Sequence, residues 1–189
     1  VDMEEYEGYD AVVFDLDGTV AHLDVDWVSV DQQTAAVVED HGFEPTESAW
    51  SALDLADERG FDGVHGLLCE HERQGAERSK RLAAADDLSA LADAGRTTAI
   101  CSLNCEAAVR IALDAHDLAD AVGATVGRDS VATRKPDPEP LLAAIRRVDA
   151  DPARSLFVGD SERDELTAER AGVDYQYVGD GPTEFERSD

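Results

Sequence analysis

From residue 83 to residue 178 the chain alternates helical and strand-like stretches, and no other feature constrains its fold as tightly. Residues 83–94 carry a helical pattern stopped by Gly95, and 97–101 form a strand-like run. A helix pattern follows over 106–115, a strand over 121–126, a helix over 138–148 and a strand over 156–158. Residues 162–171 read as a helix stopped by Gly172, and 175–178 as a last strand. Ahead of all these, residues 11–14 form a short apolar run of the kind found in buried strands. Strands alternating with helices need right-handed crossovers, which lay the strands parallel in one sheet with helices on both faces. The expected class is α/β, a Rossmann-like parallel sheet, with ligands at the carboxyl ends of its strands. The polar residues from about Gly181 onward read as a loose end.

Between the first strand and this alternating region the pattern changes. Residues 24–81 carry helical stretches broken by glycines, with Thr46 and Asp62 as N-cap candidates and Gly42 and Gly60 as stops. Trp50, Leu53 and Asp57 share one helix face, so that face is only partly apolar. The division expected is a catalytic core of residues 1–22 and 83–189 and a helical cap of residues 23–82.

Composition narrows the function classes. Hydrophobic residues make up 43% of the 189, enough for a packed core, but aromatics are only 6%, so alanine and valine must fill most of it. Sixteen basic residues against 43 acidic ones give a net charge of −27. Such a surface repels itself unless salt shortens the Debye length. It reads as the solvated acidic shell of a protein from a salt-rich cytoplasm, as in a halophilic archaeon, and it argues against nucleic acid or anionic membrane as partner. Cys69, Cys101 and Cys105 lack a framework spacing and read as reduced thiols. No secretory segment opens the chain as given and no apolar run spans a bilayer, so the expected location is cytoplasmic.

The residues that follow the strands carry the chemistry. The first run breaks into Asp15-Leu16-Asp17-Gly18-Thr19. Asp15 and Asp17 keep to one side while the strand lasts, and Gly18 permits a sharp turn. After 97–101 come Ser102, Leu103 and Asn104, suited to capping a helix or to binding an anion at its start. Arg134-Lys135-Pro136 holds one of only two lysines, in a chain that otherwise uses arginine. A compact ammonium suits a phosphate oxygen and a carboxylate together. After 156–158 come Gly159, Asp160 and Ser161, with Asp164 in the next helical turn. These two aspartates suit a helix N-terminus or a shared cation. If the sheet forms, Asp15, Asp17, Asp160 and Asp164 reach one crevice. Carboxylates that close repel one another, and a divalent cation relieves this; oxygen ligands without histidine or cysteine favour Mg2+.

In order and in strand position these residues resemble the four motifs of the haloacid dehalogenase superfamily. Phe14 to Thr19 look like the first motif, Ser102 with Asn104 the second, and Lys135 with Pro136 the third. Gly159 through Asp164, with Ala168, Ala171 and Gly172, look like the fourth. The insertion sits where the phosphoglycolate phosphatase-like branch carries a helical cap. The resemblance implies a magnesium-dependent phosphatase of small-molecule phosphate monoesters. Asp15 would be the nucleophile and Asp17 the general acid and base. Mg2+ would be held by Asp15, by Asp160, by Asp164 directly or through water and, through its backbone carbonyl, by Asp17. Ser102 and Lys135 would bind phosphoryl oxygens, with Gly18, Thr19 and Asn104 beside them. Asp17 separates the chain from dehalogenating relatives, since a halide leaves without a proton, and Leu16 stands where P-type ATPases carry lysine.

Other residues carry weaker signals. His22, Trp27, Arg59 and Arg73 are candidates for the inner face of the cap. Lys80 lies at the wrong end of it for a Schiff-base lysine. His41, His65, His71 and His116 show no ligand spacing, and Arg128 and Arg134 have no assigned role. Two other functions stay open: a phosphoryl-transferring sugar-phosphate mutase and a non-catalytic binding protein on the same fold.

Overall fold

Period-two alternation sorts the strand residues onto two faces of one sheet. Val12, Phe14, Ile100, Leu156 and Val158 point to one apolar layer, and Val13, Ala99, Cys101 and Phe157 to the other. In the computed structural model, which describes residues 3–179, the strands are β1 (Ala11–Phe14), β4 (Thr97–Cys101), β5 (Ala124–Val126), β6 (Ser155–Gly159) and β7 (Asp174–Tyr177). They pair in parallel in the order β5-β4-β1-β6-β7. The tail expected to be loose lies outside the described residues.

Helices cover both faces. Leu88 and Leu91 of α4 (Ala84–Asp93) and Val109 and Leu113 of α5 (Glu106–Ala115) pack on the first face. Leu141 and Ile145 of α6 (Glu139–Arg147) and Ala168 of α7 (Glu162–Ala171) pack on the second. Alanines complete both layers, as the scarcity of aromatics requires. Gly172 ends α7 at φ 67°, a left-handed position that glycine takes without a Cβ penalty. The reading of 121–126 as one strand needs correction. Residues Ala119–Ala121 form a 3-10 turn, and the edge strand β5 starts only at Ala124.

Three helices intervene between β1 and α4: α1 (Trp27–Asp40), α2 (Ala49–Arg59) and α3 (Val64–Glu77). Val30, Val38, Leu53, Val64 and Leu68 give them an apolar cluster of their own. The chain enters and leaves this unit through β2 (Ala21–His22) and β3 (Lys80–Arg81), which pair antiparallel. Two expected caps are replaced. Ser48, not Thr46, accepts from Ser51 N–H at the start of α2, and Gly63, not Asp62, precedes α3. The expectation of three reduced thiols is also corrected: Cys69 of α3 and Cys105 form a disulfide, while Cys101 is free and buried. Docking of α3 on the start of α5 brings together two cysteines 36 residues apart, which no spacing in the sequence announces. Among the described residues no helix is long and apolar enough to cross a membrane.

Candidate active site

The sheet delivers the motif residues to its carboxyl edge. β1 ends at Phe14, so Asp15 already lies in the loop, with its N–H donated to Val158 O at 2.8 Å. Gly18 turns the chain at φ 88° and lies so close to the Asp160 carboxylate that a Cβ there would collide with it. Ser102 follows β4 directly and donates its N–H to Val126 O at 2.9 Å. Asp160 follows β6, and Ser161 caps α7 by accepting from Asp164 N–H. The capping role considered for Asp160 therefore belongs to its neighbour.

These loops converge on three carboxylates and one ammonium. Oxygens of Asp15, Asp160 and Asp164 lie within 4.8 Å of one another, all from buried residues. Lys135 Nζ donates to Asp15 Oδ1 at 2.9 Å, to Asp164 Oδ1 at 2.5 Å and to Cys101 O at 3.3 Å. Ser161 Oγ donates to the second Asp164 oxygen at 2.6 Å. The donor set is oxygen only, which fits Mg2+.

The electrostatics follow from burial. Burial lifts the Asp15 carboxyl to about 8, with Asp164 and Asp160 adding to the rise and Lys135 opposing it. For Lys135, burial pulls down, but Asp15 and Asp164 outweigh it and keep the ammonium charged above the ordinary lysine range. Burial also raises Asp17, against a hydrogen bond from Leu23 N–H and the nearby His22.

Asp17 stands apart from the cluster. Its Oδ1 accepts from Leu23 N–H at 2.9 Å, and His22 Nδ1 lies 3.6 Å away. Its carboxylate is not one of the three that gather, so a metal role for its side chain gains nothing from the geometry. Ser102 Oγ accepts from Asn104 N–H at 3.2 Å and donates to Asn104 Oδ1 at 3.0 Å, which holds both side chains in one buried loop. Thr19 is buried beside Gly18, and its Oγ1 has no partner among the described residues.

The weaker candidates scatter. Trp27 packs tilted against Trp50 with ring centroids 5.8 Å apart, Arg59 lies over Phe43, and Arg73 bonds Glu70 on the surface. Lys80 is exposed in β3, His41 stacks on Phe61, and His116 bonds Ser79. Arg134, left without a role by the sequence, pairs with Asp54 and Asp57 of α2. Arg128 forms a buried pair with Glu72 of α3 at 2.6 Å. Nothing in the local sequence of Glu72 marks it as buried.

Residues 71–178 match the haloacid dehalogenase-like hydrolase family. The chain is 32% identical to the phosphoglycolate phosphatase of Mesorhizobium japonicum, over 94% of this chain and 88% of that protein. Against the phosphoglycolate phosphatase of Rhodospirillum rubrum it is 41% identical over 86 residues, 46% of this chain and 36% of the relative's length. The solved structure of CbbY from Rhodobacter sphaeroides in complex with phosphate superposes with a TM-score of 0.66. It covers 96% of this chain and 89% of that one at 18% identity, which speaks for the fold alone.

Proposed function

The chain belongs to the haloacid dehalogenase-like hydrolases, and from that premise we propose that it is a phosphatase: it hydrolyses small-molecule phosphate monoesters, with Mg2+, through an aspartyl phosphate on Asp15. The observation that carries this reading is the meeting of Asp15, Asp160 and Asp164 around the Lys135 ammonium at the carboxyl edge of the sheet. Asp15, Asp160 and Asp164 would hold the cation, with the Asp17 carbonyl. Its chemistry is to neutralise the carboxylates and the phosphoryl oxygens together.

Each protein group then has one task. An Asp15 oxygen attacks phosphorus in line, and the bond to the leaving oxygen breaks. Asp17, whose Oδ1 is engaged by Leu23 N–H, gives a proton from Oδ2 to that leaving oxygen, a role favoured by burial, which raises its carboxyl. As a carboxylate, Asp17 next takes a proton from water. The resulting hydroxide attacks phosphorus, the bond to Asp15 breaks, and phosphate leaves. Ser102 and Lys135 bind the phosphoryl oxygens, and Lys135 balances the charge that develops on them. A chain of net charge −27 can thus receive an anion at a locally positive point. The three-helix insertion acts as the cap, covering the crevice and excluding water during transfer.

The test is a phosphatase screen with Mg2+ in concentrated potassium chloride over glycolate, sugar, nucleotide and amino-acid phosphates. Phosphoglycolate comes first, because the two relatives above bear its name. Asp15→Asn should lose nearly all turnover while staying folded; full activity in that variant would refute the nucleophile.

A further inference from the structure

The Ser102 loop is held by backbone contacts that the motifs do not explain. After Ser102, three consecutive residues are each gripped by a residue from elsewhere. Arg128 Nη1 takes Leu103 O at 2.7 Å, and Arg128 N–H takes Asn104 O at 2.9 Å. Cys105 N–H donates to Glu72 Oε2 at 2.9 Å. Glu72 and Arg128 also grip each other, Nη1 to Oε1 at 2.6 Å and Nη2 to Oε2 at 3.0 Å. Glu72 is 0% exposed and Arg128 5%.

Two further facts fix this arrangement in place. Gly127 packs against the loop so closely that a Cβ there would lie 2.8 Å from Asn104 O and 2.6 Å from Glu106 Cα. One turn before Glu72, Cys69 is joined to Cys105 itself. Arg128 comes from the loop after β5, but Glu72 comes from α3, outside the sheet unit. The loop is thus completed by a carboxylate that the insertion supplies.

A buried ion pair is weak evidence for stability, because desolvation offsets its attraction. A pair that also binds both ends of a ligand loop has another use. We infer that Glu72 and Arg128 are positioning residues for the phosphoryl-binding loop, and that docking of α3 brings Ser102 to its working geometry. A small misplacement of such a group is costly in an oriented site. The inference rests on Ser102 being a phosphoryl ligand.

The test measures equilibrium binding of inorganic phosphate, with Mg2+ in concentrated potassium chloride, to the full chain with its disulfide intact. Ser102→Ala should weaken binding about tenfold, the loss of a hydrogen bond to a charged group. Glu72→Gln should also weaken it about tenfold, since the amide opposes Arg128 with its own N–H groups. The double variant should be no more than about twofold worse than the weaker single one, because Glu72 acts through Ser102. Should Glu72→Gln not fold, Glu72→Asp keeps the charge but, one methylene shorter, draws the carboxylate back from Cys105 N–H and Arg128 together; it should weaken phosphate severalfold. Native phosphate affinity in folded Glu72 variants, with Ser102→Ala weakened, would overturn the inference and leave the phosphoryl assignment standing. So would losses that simply multiply in the double variant. Native affinity in Ser102→Ala would remove the assignment itself, and the inference with it.

Discussion

Replacing Asp15 by asparagine should change how the stability of the Mg2+-free protein responds to pH, and the sign follows from burial. Burial, with Asp164 and Asp160 beside it, lifts the Asp15 carboxyl from 3.8 to about 8. The native chain therefore binds a proton that the unfolded chain has already released. Its contribution to stability is full below 3.8 and is lost as pH rises through about 8. The slope is at most about 1.4 kcal/mol per pH unit. Asparagine is neutral at every pH and of similar shape, so the variant lacks this slope. Removing a partner from Lys135 adds an offset but no slope, because Asp164 at 2.5 Å keeps the ammonium charged throughout. The opposing pull of Lys135 is already contained in that value; because the carboxyl is half titrated at the upper end, about 1 kcal/mol per pH unit is expected on average between about pH 5 and about pH 8. That is about 2–4 °C in Tm per pH unit for a chain of this length. Paired thermal melts in EDTA and concentrated potassium chloride isolate the effect, since salt screens the general repulsion of the acidic surface. The stability gap between variant and native chain should widen steadily with pH, and Mg2+ added to the native chain should close much of it. Two curves running parallel across that range would refute the argument that Asp15 is lifted by its surroundings.

Three other outcomes follow from the same structure. With a net charge of −27, the chain should melt at a lower temperature as salt is withdrawn, the Debye length growing from about 3 Å at 1 M to about 30 Å at 0.01 M; a salt-indifferent Tm would contradict this. Thiol titration of the denatured, oxidised chain should find Cys101 alone and, after reduction, all three cysteines. Reduction should lower stability by about 3–4 kcal/mol, the chain-entropy value for a 36-residue separation, and three thiols without reductant would remove the disulfide. Gly127→Ala should destabilise by about 2–4 kcal/mol and weaken phosphate binding, because its Cβ would meet Glu106 Cα at 2.6 Å; near-native melting would mean that the approach of the two loops is looser.

Much of this molecule is written locally. The stretches 97–101, 106–115 and 162–171 are β4, α5 and α7 residue for residue, because apolar spacing and stop glycines act over a few positions. Residues 11–14 followed at once by Asp15 announce a buried strand that empties into a site. The gathering of Asp15, Asp160 and Asp164 with Lys135 was legible once parallel strands were assumed, since such a sheet sends every strand's carboxyl end to one edge. Local signals misled where the deciding contact was close but non-periodic: Ser48 displaces Thr46 as the α2 cap, and β5, a short edge strand, begins three residues late.

The sequence alone determined the strand order's consequence: carboxylates, hydroxyl and ammonium share one edge, because local periodicity dictates the elements and handedness dictates their layering. Only the tertiary structure decided what that edge leans on. Glu72 lies 56 residues from Arg128 and Cys69 36 residues from Cys105. A glutamate on a helix surface reads as solvated until another element removes its water. Which element does so is settled by how α3 docks against α5, a packing choice to which no residue within a few positions contributes a signal.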